Sequence, residues 1–384
     1  MVCNLPVKIL YHCAVSEGGL AEYARHQAGA LTEVGGVEVL WQAPGELPAP
    51  PNARRLPPLI CQRRDFERPR WRRAADFFSD SLTPWNALVH AIRLNRPDAV
   101  LVSTWSEYFA PIWAPKFRVL RRHGIRFGAV IHDPVRDFVR GPVWWHRYSV
   151  REAYSFLDVA FTHEKIALDS CGARTSFKTV EIPHGPYPVE EGHEERSVLR
   201  RAFAIPDDAQ VLLSFGHIRD GKNLDQIIAA LPLLPDAHLL VAGREQSGGQ
   251  KPAAFYRELA ATLGVADRCH WCTDYIQNAE VWKYFRASDV LMLTYSKDFR
   301  SASGVLNVNA QFGLPVMASA GGGPLLQTVS RYNLGTVVPN VSPPSIADAL
   351  PGTLGIRGEW DRFTRENSWK VNAERVVEGL REKR

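Results

Sequence analysis

The sequence has no run approaching the ~20 consecutive apolar residues of a membrane-spanning helix, and no basic-then-apolar leader opens it, so work in the cytoplasm is the expectation. Its six cysteines (Cys3, Cys13, Cys61, Cys171, Cys269 and Cys272) follow no disulfide framework, which suits a reducing compartment. Cys269 and Cys272 form a lone CHWC pair. One pair cannot close a four-ligand zinc site, and the stretch reads as a strand end. No G-x-G-x-x-G fingerprint is present, and no DxD-type pair is placed to hold a metal. A surplus of one charge sign is also missing. The net charge of +5 suits anionic small molecules or a membrane surface and is too weak to argue for nucleic acid.

What is present is a soluble, enzyme-like composition, with 45% hydrophobic and 23% charged residues over 384 positions. That length exceeds one ordinary core, so two domains are expected. The most informative stretch runs from Val211 to Asp225, VLLSFGHIRDGKNLD. An apolar strand feeds a turn punctuated by Gly216 and Gly221 and carrying Arg219 and Lys222. An amphipathic helix follows, with Leu224, Ile227, Ile228 and Leu231 on one face. Backbone N–H groups and two full cations at a strand-to-helix turn suit an anion; a solvated basic turn is the plainer alternative.

In the first half, strand Val7–Tyr11 leads to Gly18 and Gly19 at the start of a helix, a turn open either to a phosphate or to nothing but tight packing. Val37–Trp41 is a second strand and the proline-rich 44–58 a loop. From Arg54 to Arg73 basic residues interleave with Phe66 and Trp71, a composition that seats on anionic lipid headgroups, binds single-stranded nucleic acid, or simply covers an exposed loop and helix. Strands Asp98–Ser103 and Phe127–Ile131 follow. The latter ends at His132, where open α/β sheets bind ligands, although a satisfied strand-end histidine would look the same. Asp158–Thr162 and Val180–Ile182 complete the half. The charged run Glu190–Arg196 reads as a solvated linker at the domain boundary.

The second half alternates strand and helix: strands His238–Ala242, Arg268–Thr273 and Val290–Thr294, helices Ala253–Leu263 and Glu280–Ala287. That pattern implies a parallel sheet. Ser303, Gly304 and Val305 open a further helix whose N–H groups are free for an anion, and Gly321–Pro324 is another close-approach turn. The tail Trp360–Arg384 reads as one helix.

Together the segments EGGLAEYARHQAGAL, VIHDP, EIPHGPYP, FGHIRDGKNLD, DYIQNAEVWKYFRASDVLMLTY, GLPVMAS with GGGP, and SWKVNAERVVEGL resemble the retaining GT-B glycosyltransferases of glycosyltransferase family 4. The resemblance implies an α/β GT-B fold: two Rossmann-like doubly wound domains facing across a cleft, an acceptor-side domain over 1–188, a donor-binding domain over 189–360, and a helix over 361–384 crossing back. It implies that Arg219 and Lys222 hold the diphosphate of a UDP- or GDP-linked sugar and that Gly18 and Gly19 approach the same group. His132 would lie beside the sugar, and Tyr275 and Ile276 would line the base pocket. Gly216, Tyr295, Ser303, Gly304, Val305 and Asn309 complete the donor side. No cofactor and no metal are implied, since the two cations carry the leaving charge. The acceptor would be a glycan or a lipid-linked sugar, with membrane contact through Arg54–Arg73 and no nucleic-acid partner.

One departure stands out. The family usually carries two glutamates seven residues apart, and here Arg300 and Val308 hold those places, with Leu325 near a further acidic position. Asn307, Asn309 and Gln311 are polar on that helix and available to take over ribose contact. Three other readings stay open: an inverting transferase with Asp133 or Glu17 as base, or an epimerase; a non-catalytic nucleotide-sugar-binding protein; and a membrane-surface or nucleic-acid interaction protein driven by Arg54–Arg73.

Overall fold

The computed structural model describes residues 7–60, 70–104, 107–132, 142–165, 168–173, 176–246, 249–300 and 302–382, and the backbone alone over 70–80. The chain divides into two compact units, Met1–His184 with Ser368–Arg384, and Gly185–Asn367.

The first unit runs β1 (Val7–His12), α1 (Gly19–Glu33), β2 (Val37–Gln42), β3 (Arg54–Arg55), α2 (Arg70–Asn95), β4 (Ala99–Val102), α3 (Ala110–Arg122), β5 (Arg126–Ile131), α4 (Val143–Tyr154), β6 (Val159–Thr162) and β7 (Lys178–Glu181). The second runs α5 (Arg196–Ala202), β8 (Gln210–Phe215), α6 (Leu224–Ala230), β9 (Ala237–Ala242), α7 (Ala253–Thr262), β10 (Cys269–Cys272), α8 (Val281–Ala287), β11 (Val290–Thr294), α9 (Gly304–Asn309), β12 (Val316–Ser319), α10 (Pro324–Arg331), β13 (Gly335–Val337), α11 (Pro343–Leu354) and α12 (Trp360–Glu366). The chain then returns to the first unit as α13 (Trp369–Arg381).

Both sheets are parallel throughout, in the orders β3-β2-β1-β4-β5-β6-β7 and β10-β9-β8-β11-β12-β13. Each contains the doubly wound 3-2-1-4-5-6 order. Strands such as Ala99–Val102 (AVLV) and Val290–Thr294 (VLMLT) are buried at every residue, as both faces of the sheet are covered by helices. In the first unit one face carries α2, α3 and α4 over a core in which Trp85 and Trp113 stack at 3.9 Å beside Phe117 and Phe156. In the second unit Cys269 joins the core on one sheet face and Cys272 packs against the core on the other. The CHWC pair therefore cannot act as one site.

Two expectations change. The tail is two helices, not one: the Asn367 amide closes α12 on the Phe363 carbonyl at 2.9 Å, and the Ser368 hydroxyl caps α13 by accepting the Val371 N–H at 3.2 Å. The break coincides with the passage between units. Second, the 190–196 run is not a free linker. Glu191 meets Arg286 at 3.0 Å and Gln311 at 2.9 Å, and Arg196 pairs with Asp289, all within the second unit.

The terminal helix is fastened by buried polar bonds. Asn372 donates to Tyr23 Oη (2.9 Å) and to the Pro183 carbonyl (2.7 Å), and accepts from Gln27 (2.7 Å), which also accepts from Tyr11 Oη (2.8 Å). Its apolar stripe Ala373, Val376, Val377 and Leu380 is buried.

Candidate functional site

In the second unit the site is the turn after β8. Gly216 lies in the left-handed region at φ 86°, and a Cβ on Gly243 would stand 2.6 Å from the Gly216 carbonyl oxygen. Only two glycines let β8 and β9 end this close. The chain then passes through a 3₁₀ turn, Asp220–Lys222, and Asn223 takes φ 52°. That conformation is held by Asn223 Nδ2 donating to the Thr294 carbonyl (3.0 Å) while Thr294 Oγ1 donates to the Lys222 carbonyl (3.0 Å). Asp220 accepts from Tyr256 Oη (3.1 Å) and from the Lys251 N–H (3.0 Å), fixing the outer side of the turn.

Lys222 is buried at 9% exposure, its ammonium donating to the Phe215 carbonyl. Burial, and then the Arg219 charge, push its pKa down to about 7. Among the described residues neither Lys222 nor Arg219 forms an ion pair with a carboxylate. The Arg219 guanidinium lies 5.8 Å from the centroid of Tyr295 and 5.9 Å from that of Phe299, rings that stack at 4.0 Å. Tyr295 Oη is held by Ser303 Oγ at 3.1 Å. His217 is pushed down by burial and by Arg244, Lys222 and Arg219, so four basic groups converge here. Arg244 also covers the ring of Tyr275 at 5.6 Å. Tyr275 is 61% exposed, and Ile276 packs against the unit's core.

The structure narrows the rest of the donor set. Helix α9 has six residues, too short for a significant macrodipole. The Ser303 hydroxyl is already committed, accepting the Leu306 N–H at 3.4 Å and meeting Tyr295. Gly304 and Val305 are half-buried, offering backbone N–H groups only. Asn309 is fully buried, its amide donating to the Leu314 carbonyl (2.8 Å) and accepting the Leu314 N–H (3.2 Å). It is a turn fastener and leaves nothing for a ligand. Gln311 is bonded to both backbone polar groups of Val189. Asn307 alone of the three keeps a buried, unpartnered oxygen, Oδ1. Gly321–Gly323 approaches the chain itself: a Cβ on Gly321 would lie 2.0 Å from the Lys297 carbonyl oxygen. Phe299, which completes the platform under Arg219, was not singled out in the sequence. Its signal was an aromatic four residues after Tyr295.

In the first unit Gly18 takes φ 85° and ends on an exposed turn at α1, with no atom within 4 Å of a Cβ placed on Gly18 or Gly19. His132 ends β5. It bonds the Ser103 backbone, and burial, followed by the neighbouring His184, pushes its pKa down to about 3. Its ring stands edge-on to Tyr23 at 4.6 Å, and His163, 5.4 Å away, is held to the Ile182 carbonyl at 3.3 Å. His184 is 5.1 Å from His163 and 5.0 Å from Tyr23. The Nε2 atoms of His132 and His163 are buried without a partner. With the other ring nitrogen facing a carbonyl, each Nε2 is a bare acceptor. His163, His184 and Tyr23 were missed in the sequence, because ring clustering at three strand ends is a tertiary fact.

Asp133 lies outside the described residues, and Glu17 is exposed. Of the basic stretch, 61–69 and the side chains of 70–80 also lie outside them. Arg54 bonds Asn95 (3.0 Å) and faces Glu38 (3.6 Å), while Arg55 bonds the Gly45 carbonyl (2.8 Å). Among the described residues no helix is long and apolar enough to cross a membrane, and no group of three His, Cys, Asp or Glu side chains is arranged to hold a metal.

Residues 195–359 match the family model described as Glycosyl transferases group 1. A D-inositol 3-phosphate glycosyltransferase of Mycobacteroides abscessus is 30% identical over 165 residues, 42% of this chain and 36% of that protein. One of Geodermatophilus obscurus is 29% identical over 214 residues, 53% of this chain and 46% of that protein. The chain thus spans less than half the length of these curated relatives. Among solved structures, Anabaena HepE in complex with UDP and glucose aligns over 97% of this chain and 99% of its own, with TM-score 0.69 at 15% identity. Sucrose-phosphate synthase of Thermosynechococcus elongatus aligns over 97% and 98%, with TM-score 0.65 at 17% identity. Identities this low speak to the fold alone, which is GT-B, with two Rossmann-like units.

Proposed function

We propose that the protein transfers a sugar from a UDP- or GDP-linked donor to an acceptor hydroxyl, with retention at the anomeric carbon. The observation that carries this reading is Lys222, buried beside Arg219, with no carboxylate paired to either among the described residues. Two unneutralised cations at one strand end are costly unless an anion completes them. The family match supports the reading, since it spans both cations. Relatives named for a phosphorylated polyol acceptor and a fold neighbour holding UDP support a nucleotide-sugar donor and a hydroxyl-rich acceptor.

As the glycosidic bond breaks, negative charge builds on the departing diphosphate. Cations already in place stabilise that charge more in the transition state than in the ground state, by roughly 3–4 kcal/mol per well-placed donor. Arg219 needs no reorganisation, because its seat on Tyr295 and Phe299 is packed beforehand. Lys222, half-neutral near pH 7 in the free protein, takes up a proton as the diphosphate arrives. The Nε2 of His132 accepts a hydrogen bond from a substrate hydroxyl; its depressed pKa keeps it neutral, so it positions rather than donates a proton. Retention follows if the acceptor hydroxyl attacks from the leaving-group face and the departing phosphate takes its proton. No enzymic base and no metal are required.

A second reading, a nucleotide-sugar-binding protein without turnover, is favoured by Arg300 and Val308 standing where two family glutamates are expected. A thermal-shift screen with UDP, GDP, ADP and their sugars, followed by product analysis by NMR, separates the two. The proposal expects stabilisation by one diphosphate and an axial-to-axial or equatorial-to-equatorial product. Binding without any product would move the assignment to the second reading, and no stabilisation by any nucleotide would contradict both.

A further inference from the structure

Helices α3 and α4 follow consecutive parallel strands β4 and β5, and both pack into the one core on the same face of the first unit's sheet. Their outward faces therefore lie side by side. Trp145 Nε1 and Ser149 Oγ both donate to the Tyr108 carbonyl at 3.2 Å, pinning α4 to the start of α3. This double face is unusually apolar for solvent. Trp144 is 68% exposed, Val143 62%, Val119 49% and Ile112 47%. On α3 the exposed residues recur as Ile112, Lys116 and Val119, one helical stripe; on α4 Trp144, Arg147 and Tyr148 make another.

The exposed charges on these two helices are all positive. Lys116, Arg122 and Arg147 are exposed. Helix α3 has no acidic residue, and the single one on α4, Glu152, is 2% exposed and bonded to Arg118 at 2.5 Å. Asp169, in the loop after β6, accepts the Cys171 N–H at 3.1 Å and is the one exposed carboxylate among the described residues that shares the surroundings of Cys171 with Arg147. We propose that this face docks the protein on an anionic lipid surface, with Trp144 and Tyr148 at headgroup depth, Val143 and Ile112 below them, and Lys116 and Arg147 on the lipid phosphates. Aromatic residues with polar tips, isolated aliphatics and an excess of cations are the composition of an interfacial membrane contact. The inference goes beyond the transfer reading and is measured with no donor or acceptor present.

The test is sedimentation of the full chain with phosphatidylcholine vesicles, with and without about a third phosphatidylglycerol, at several salt concentrations. The expected result is salt-sensitive binding to the anionic vesicles and at least tenfold weaker binding to neutral ones. Trp144→Ser with Arg147→Glu should weaken binding to anionic vesicles at least tenfold, with the melting temperature unchanged, and Arg54→Glu with Arg55→Glu should weaken it less than twofold. Should the variant lose its fold, Lys116→Glu alone replaces it, with an expected loss of threefold or more. Undiminished binding by the variant carrying Trp144→Ser with Arg147→Glu, or by Lys116→Glu where that replaces it, or no wild-type binding to anionic vesicles, would overturn the proposal. So would a wild-type dimer in sedimentation equilibrium that Trp144→Ser dissociates, since a second copy would then cover the face.

Discussion

The strand ends of the two units share a topology and differ in chemistry. After β8 the second unit gathers Arg219, Lys222, His217 and Arg244 around a turn closed by Gly216 and Gly243. After β5, β6 and β7 the first unit gathers His132, His163 and His184 around Tyr23, with burial as the main force keeping His132 and His163 neutral. The strand ends thus carry a cluster of basic groups in one unit, read above as an anion seat, and in the other two neutral histidines, His132 and His163, whose Nε2 atoms are lone-pair acceptors. A parallel sheet supplies the place; the side chains decide whether charge or hydroxyl is recognised there.

Breaking the charged side should have the largest effect. Lys222→Met and Arg219→Ala are each expected to lower turnover 10²-fold or more, with the melting temperature of Lys222→Met unchanged or raised, because a desolvated amine is removed. Steady-state rates with a nucleotide sugar and a thermal melt check both halves of this statement. Rates unaffected by 10 mM EDTA are expected in the wild type.

The neutral side should fail in acid. A histidine whose folded pKa lies below its unfolded value binds fewer protons folded than unfolded, so stability falls as pH drops below about 6.5. His12, pushed down to about 4, and His132, to about 3, both act this way, as does His163. Glu164, raised to about 7 by burial and by Glu181, acts in the opposite sense between pH 7 and 4.5 and offsets part of the loss. Melting temperature is therefore expected to decline from pH 6.5 to 4, and His163→Phe should flatten the decline. An equally steep decline in that variant would remove the cluster from the account.

Much of the molecule is visible in its sequence. Strand-helix alternation gives both sheets, and strands such as Val290–Thr294 announce burial by composition. The Arg219–Lys222 turn is legible because glycine, cation and apolar helix lie within fifteen residues. The expected roles of Ser303 and Asn309 were harder to judge, because a polar side chain near a helix end reads alike whether it meets a ligand or its own backbone. The structure shows Asn309 bonded twice to Leu314. The break at Asn367–Ser368 was hidden because apolar periodicity continues across it, while capping is a matter of two side chains.

Two smaller effects sharpen the comparison. Asn309→Ala should cost about 1–2 kcal/mol of stability, since it leaves half-buried backbone groups of Leu314 unpaired, and should leave the donor KM within twofold; urea denaturation and kinetics measure the two. Tyr275→Ala should weaken nucleotide binding only threefold to tenfold, the loss of one exposed stacking surface, read by titration with the diphosphate.

The central claim is that Lys222 and Arg219 await a diphosphate. Calorimetric titration of the preferred nucleoside diphosphate at pH 8, in two buffers of different ionisation enthalpy, tests it directly. Because Lys222 titrates near 7 when free, binding should take up close to one proton at pH 8, and affinity should fall up to tenfold per pH unit above 7. The uptake should disappear in Lys222→Met. Binding with no proton uptake, and with the same affinity in that variant, would contradict the account.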